Sequence, residues 1–200
     1  MNAPRRLVVA SRNSGKVSEI RAVLSPLSQW QVERLPPDAP DAEETGATFL
    51  ENAALKARFY GELLGGWTVA DDSGLEVDAL GGRPGIHSAR YAPTDTQRNA
   101  KLLAELREVH DDLRTARFVC ALALALNGEV LWTVEEQVSG RIAAEPAGGQ
   151  GFGYDPVFLL PDLGQTMGEI PPGLKNRLSH RGRALARLLA HLEGPSLNGR

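Results

Sequence analysis

Two adjacent carboxylates, Asp71-Asp72, stand at the end of an apolar run, followed by Ser73-Gly74 and, shortly after, Glu76 and Asp78. Paired acids near a core are costly unless something cationic lies beside them. A magnesium ion suits such a pair, because it takes one or two carboxylates and then the oxygens of a bound phosphate. The same residues also read as a turn or cap, with one Asp accepting backbone N–H bonds and Gly74 closing the turn. Glu43-Glu44 add two more acids, which on their own describe a solvated loop. A second cluster, Ser11-Arg12-Asn13-Ser14-Gly15-Lys16, comes after another apolar run and precedes a helical pattern. Backbone N–H groups at such a helix start, with Lys16 as a point charge, form an anion site. It is not a Walker A loop, since Lys16 is followed by Val17 rather than Ser or Thr. An ordinary strand-to-helix turn with Lys16 in water is the competing description.

The third cluster is Gly148-Gly149-Gln150-Gly151-Phe152-Gly153-Tyr154-Asp155-Pro156. Interleaved glycines permit close backbone approach, and an aromatic flanked by glycine can stack on a base. A bulged edge with Phe152 tucked inward fits the same residues. The fourth, Lys175-Asn176-Arg177-Leu178-Ser179-His180-Arg181, gathers Lys175, Arg177, His180 and Arg181 just before a helical pattern, or else marks a solvated helix start. His87 lies in a Gly/Pro-rich stretch where it could stand near a site, whereas His110 and His191 read as surface groups within helices. Together the clusters supply anion-binding groups, a carboxylate pair for a divalent metal and a base platform. Those are the parts for metal-assisted attack of water on a phosphoryl group.

The elements that must position these clusters are legible from periodicity. Residues 7–10 read as a strand, and Val17, Ile20, Val23, Leu24 and Leu27 recur at helical spacing. Pro26, Pro36, Pro37 and Pro40 break up the segment beyond this helix. Thr48 and Glu51 have capping-box spacing ahead of Phe49, Ala53, Ala57, Tyr60 and Leu64, and Gly65-Gly66 ends that helix. Residues 67–70 predict a buried strand and residues 71–93 a loop. Thr94 opens a third helix to Val109. Residues 118–126 predict a strand buried on both faces, turned by Asn127-Gly128 into an antiparallel partner over 130–138. A short strand over 157–160 and a helix over 183–192 complete the pattern, with the residues after Gly194 expected to fray. We expect an α/β protein with a mixed sheet flanked by helices, one domain over residues 1–200.

The chain has 200 residues, with 22 Lys+Arg against 25 Asp+Glu, so its formal charge is -3. That balance removes the electrostatic motive for broad binding to nucleic acid or an anionic membrane, though not for a small anion held by a few cations. Cys120 is the single cysteine, which excludes an internal disulfide and a cysteine-based zinc site. No apolar run nears the roughly 20 residues of a membrane span, and residues 1–6 lack an export-signal core. A cytoplasmic protein is expected.

The blocks are also recognisable. Asp71-Asp72-Ser73-Gly74-Leu75-Glu76-Val77-Asp78-Ala79-Leu80, Gly81-Gly82-Arg83-Pro84-Gly85 and Ser88-Ala89-Arg90-Tyr91 resemble the signature of the inosine triphosphate pyrophosphatase family in its bacterial form. Glu43-Glu44-Thr45-Gly46, Thr48-Phe49, Glu51-Asn52-Ala53 and Lys56-Ala57 are similar to a second family block, and Gly151 to Pro156, Ser179-His180-Arg181 and the Asn13, Gly15, Lys16 loop are similar to three more. Pro171-Pro172-Gly173-Leu174 departs from it, standing where the family has an acidic, helix-forming run. The resemblance implies Mg²⁺-dependent hydrolysis of dITP, ITP or XTP to the monophosphate and pyrophosphate. By it Asp72 is the general base and a metal ligand, and Glu43 is a second ligand. Ser11, Arg12, Asn13, Ser14, Gly15 and Lys16 bind phosphates with Ser73 nearby, while Phe152, Gly153, Tyr154, Asp155, Lys175, His180 and Arg181 hold base and sugar. It further implies two lobes with the active cleft between them, a homodimer, and a small-molecule purine nucleotide as partner. A nucleotide-binding sensor without catalysis would bind dITP and release nothing, and a pyrophosphatase for modified pyrimidine triphosphates would prefer substrates such as dUTP.

Overall fold

The apolar run at residues 7–10 forms β1 (Arg5–Val9), whose Leu7, Val8 and Val9 are buried. The computed structural model describes residues 3–194, so the expected fraying after Gly194 lies outside the described residues. Asn13 then caps α1 (Ser14–Leu24) by accepting the Lys16 N–H at 3.0 Å. The proline-interrupted segment contains an unexpected strand, β2 (Trp30–Arg34), which fits between the prolines and pairs in parallel with β1. Helix α2 (Phe49–Leu64) begins with the full capping box of Thr48 and Glu51. Next come β3 (Trp67–Val77), α3 (Asp95–Glu105) with Thr94 as its N-cap, β4 (Thr115–Leu126) and β5 (Glu129–Ile142). The chain continues with β6 (Phe158–Leu160), β7 (Gln165–Thr166), α4 (Pro172–Leu178) and α5 (His180–Glu193).

The seven strands form one sheet in the order β2-β1-β3-β4-β5-β6-β7. It is mixed: β1 runs parallel to β2 and β3, while β6 runs antiparallel to β5 and β7. The expected α/β class with a mixed sheet is what the chain adopts. Asn127 and Gly128 make the predicted tight turn, both at positive φ (50° and 87°), as a type I′ hairpin requires.

Three expectations need correction. The acidic stretch after Ala70 is not loop: β3 runs through Asp71, Asp72, Ser73 and Gly74 to Val77. Sequence-local cues favour a turn there, but cations brought from elsewhere neutralise the buried acids and let the strand continue. The last helix starts at His180 rather than Arg183, which sets His180 and Arg181 in its first turn. His110 precedes a short 3₁₀ turn and is not helical. The residues over 171–174, by contrast, do not prevent a helix, because Pro171 is the cap and Pro172 occupies the first helical position, where a missing N–H costs nothing.

The chain divides into two compact units. The first comprises Met1–Asp72, Cys120–Glu136 and Arg181–Arg200. Its core packs Leu7, Val9, Ile20, Leu122, Leu124 and Leu188, with Trp30 meeting Trp67 edge to face at 5.5 Å. Helix α2 approaches the hairpin turn of this unit closely: a Cβ on Gly61 would lie 2.6 Å from the Gly128 nitrogen. The second unit comprises Ser73–Val119 and Gln137–His180, and its core packs Leu75, Leu102, Leu106, Phe118, Phe158 and Met167. The chain passes between the units four times: at Asp72 and Ser73, at Val119 and Cys120, at Glu136 and Gln137, and at His180 and Arg181.

Candidate active site

In the first unit, β3 carries Asp71 and Asp72 into the interior, at 1% and 8% exposure. Buried carboxylates require compensation, and each finds its own. Asp71 Oδ1 meets Lys16 Nζ at 2.5 Å, and its Oδ2 accepts from Arg181 Nε at 2.8 Å. Arg181 reaches onward through its other nitrogen to Glu19 Oε2 at 2.7 Å. The Cys120 thiol donates to Asp71 Oδ2 at 3.2 Å. Burial alone would raise the Asp71 pKa, but Arg181 and Lys16 outweigh it and hold the carboxyl well below its ordinary value. Burial and the Asp71 charge push the Cys120 thiol up, so it remains a protonated donor. Arg181 is opposed by burial and held above its ordinary value by Asp71 and Glu19.

Asp72 is treated differently. Its Oδ1 meets Lys56 Nζ at 2.8 Å, and the same ammonium meets Glu44 Oε1 at 2.7 Å. Burial raises the Asp72 pKa, and the opposing pull of Lys56 and Lys16 only partly offsets this. The neighbouring acids are thus pushed in opposite directions: Asp71 is fixed as an anion, and Asp72 is the more basic carboxylate. Such divergence between adjacent titratable groups marks functional sites. Two carboxylates of different segments, Glu44 and Asp72, converge on one cation. That donor set fits Mg²⁺, which needs one or two carboxylates and completes its shell with water and phosphate oxygen. Among the described residues, no three His, Cys, Asp or Glu side chains form a ready-made metal cluster.

Each remaining expected residue has a definite place. Ser11 accepts the Asn13 N–H at 3.2 Å, and the exposed Asn13 and Ser14 with half-buried Gly15 and Lys16 open α1. Arg12 is committed to the loop over residues 37–41, bonding Asp41 at 2.9 Å and the carbonyls of Pro37 and Ala39. Glu43 is exposed, whereas its neighbour Glu44 is the one joined to Asp72 through Lys56. Ser73, half-buried, succeeds Asp72 along β3. Arg181 extends its guanidinium to Asp71 and Glu19.

In the second unit, Asp155 Oδ2 accepts the Phe152 N–H at 2.7 Å and pairs with Lys175 Nζ at 2.5 Å. Lys175, only 4% exposed, places its ammonium 4.7 Å from the Phe152 ring centroid, a cation–π distance. Gly151 is required here, because a Cβ would lie 2.0 Å from the Asp155 carboxylate and its φ is +79°. Tyr154 is buried and donates its hydroxyl to the Ser88 carbonyl at 3.0 Å. His180 stacks on Phe118 with centroids 4.6 Å apart. His87 is exposed.

Sequence reasoning missed Lys56 and Glu19 as site residues, and Asn99 as a buried amide. Two of these carried a signal. Lys56 falls four residues from both Asn52 and Tyr60, on the buried side of α2, and Asn99 sits in the stripe with Leu102 and Leu106. A polar side chain on a buried helical face needs a partner, and both have one. Glu19 gave no such signal.

The model of the Ham1 family matches residues 7–191. A protein of Geobacillus kaustophilus named dITP/XTP pyrophosphatase is 51% identical over 188 residues, covering 92% of each chain. One of Gloeobacter violaceus with the same name is 50% identical over 186 residues, covering 93% of each. The solved structure of a HAM1 protein from Coxiella burnetii superposes with a TM-score of 0.83 at 41% identity, covering 94% of this chain and 98% of that one.

Proposed function

The chain belongs to the Ham1 family, and from that premise we propose that it hydrolyses non-standard purine nucleoside triphosphates (dITP, ITP and XTP) to the monophosphate and pyrophosphate. It is a nucleoside triphosphate pyrophosphatase that removes such nucleotides from the pool. The observation that supports this most is the opposed environment of Asp71 and Asp72, one locked by Lys16 and Arg181 and the other made basic by burial. The proposal extends to a role for each residue of the site.

Asp72 is the general base. It takes a proton from the attacking water as the water oxygen bonds to the phosphorus and the bond to the leaving pyrophosphate breaks. A raised pKa makes it a better proton acceptor than an ordinary carboxylate, and Lys56 keeps it anionic between turnovers. Mg²⁺, held by Asp72 with Glu43 or Glu44, supplies charge neutralisation and a more acidic water when bound. Residues 11–16 bind the phosphates: the capped start of α1 offers N–H groups, and Lys16, aimed by Asp71, offers its charge. Arg181 serves that end by anchoring Asp71. Ser73 stands by the phosphates; in the second unit, Phe152 stacks on the purine, while Lys175 and His180 handle base and sugar, with Gly153, Tyr154 and Asp155 shaping the loop.

Hypoxanthine and xanthine carry a 6-keto oxygen where adenine carries an amino group. A donor placed for that oxygen meets a second donor on adenine, and an unpaired buried polar group costs the wrong substrate a large factor. A homodimer and a cytoplasmic setting belong to the same proposal; among the described residues no helix is long and apolar enough to cross a membrane. The test is pyrophosphate release from a panel of purine and pyrimidine triphosphates with and without Mg²⁺. We expect dITP, ITP and XTP to be turned over far faster than dATP or dGTP, and Asp72→Asn to lose nearly all activity. Equal rates across the purines, a preference for pyrimidines, or binding without release would overturn the reading.

A further inference from the structure

The loop that carries Phe152 is held from a helix that none of the expected site residues occupies. Asp95 is the first residue of α3, and Asn99 lies one turn on, so both face the same way. Asp95 Oδ2 accepts the Gly153 N–H at 2.7 Å, and Asn99 Nδ2 donates to the Gly153 carbonyl at 3.1 Å. The peptide groups on both sides of one glycine are therefore gripped by one helix. Arg98 pairs with Asp95 and donates to the Ala89 carbonyl, which steadies the carboxylate. Gly153 has φ +64°, a conformation that side-chain-bearing residues rarely adopt, so the loop needs this external hold. The Phe152 N–H is separately occupied by Asp155. These bonds fix the backbone on both sides of Phe152, whose half-buried ring lies 4.7 Å from the Lys175 ammonium.

We propose that Asp95 and Asn99 are positioning residues that set the Phe152 platform and thereby the affinity and choice of purine base. This rests on the proposed function and extends it to α3. A displacement of the platform by about 1 Å is enough to degrade a bound pose and to carry the edge of the base away from the donors that would read it. Loss of either clamp should therefore weaken binding of the base while leaving the phosphate and metal chemistry of the first unit intact. The effect should appear in KM, not in kcat.

The experiment is steady-state kinetics of the full chain on ITP and ATP with saturating Mg²⁺, for wild type, Asp95→Asn, Asn99→Ala and Gly153→Ala, with melting curves alongside. Gly153→Ala leaves open space around the new Cβ but strains the backbone, so it perturbs the loop by an independent route. We expect KM for ITP to rise about ten-fold or more in each variant, the loss of one hydrogen bond or more, with kcat within about three-fold. The preference for ITP over ATP in kcat/KM should fall by a comparable factor. Asp95 is 45% exposed, so Asp95→Asn is the variant to read if Asn99→Ala fails to fold. Folded variants with unchanged KM and unchanged preference overturn the inference while the proposed function stands, and so does a fall in kcat at constant KM. A wild-type chain that releases no pyrophosphate from ITP defeats both.

Discussion

Replacing Arg181 with methionine removes a guanidinium that is only 3% exposed while keeping much of the apolar stem. Asp71, with no side-chain exposure, would lose its 2.8 Å partner but retain Lys16 at 2.5 Å and the Cys120 thiol. Glu19, 14% exposed, would lose its 2.7 Å partner as well. Removing one member of a buried ion pair costs about 3–5 kcal/mol, chiefly because the other charge is left uncompensated. Lys16 still faces Asp71, so we expect the lower end, about 3 kcal/mol, a large part of a typical total stability of about 5–15 kcal/mol. The exposed pair of Arg6 and Glu33, at 48% and 32% exposure, is the contrast: Arg6→Met should cost no more than about 1 kcal/mol. The assay is urea unfolding of wild type and both variants at neutral pH, read from midpoints at unchanged slope. A cost for Arg181→Met no larger than that for Arg6→Met would refute the view that this network holds the phosphate end together.

The same geometry makes three other outcomes testable. Gly61→Ala pushes a Cβ to 2.6 Å from the Gly128 backbone and should cost about 1–3 kcal/mol, while Gly149→Ala, with nothing within 4 Å, should barely move the unfolding midpoint. His191 stacks on Trp132 at 5.1 Å, and burial lowers its pKa from the ordinary 6.5. The folded chain then takes up that proton less readily than the unfolded one. Its contribution to stability is complete above the unfolded pKa and is lost as pH falls through the folded value. His191→Gln should therefore flatten the decline in unfolding midpoint on acidification below about pH 6.5, and an unchanged slope would contradict this. Chelation of divalent metal should abolish pyrophosphate release, with Mg²⁺ restoring it; activity that persists in chelator would exclude the metal from the reaction.

Features that rest on local physics were legible in the sequence. The capping box at Thr48 and Glu51, the Asn127-Gly128 turn and the double-sided apolar run of β4 depend on neighbours a few residues away, and all three form as their residues dictate. The extension of β3 through Asp71 to Val77 was not legible, because it depends on Lys16, Lys56 and Arg181 arriving from distant parts of the chain. For the same reason the charged residues stand out in the sequence while their pairing does not. Lys175 and Phe152 both stand out in the sequence, but only the fold brings the ammonium to the ring. Arg181 stands beside His180 in the sequence, and only the fold carries its guanidinium to Asp71 and Glu19. Strand β2 (Trp30–Arg34) intersperses polar residues where β1 runs apolar, and β7 spans only two residues, so neither signals itself.

At the centre of the proposed function, water cleaves a non-standard purine triphosphate in one step to give pyrophosphate. Phosphorus NMR of a dITP reaction with Mg²⁺ measures this directly. One pyrophosphate and one monophosphate should appear per dITP consumed, with no orthophosphate and little change in a parallel dATP sample over the same time. Sequential release of orthophosphate, or equal consumption of dATP, would contradict it.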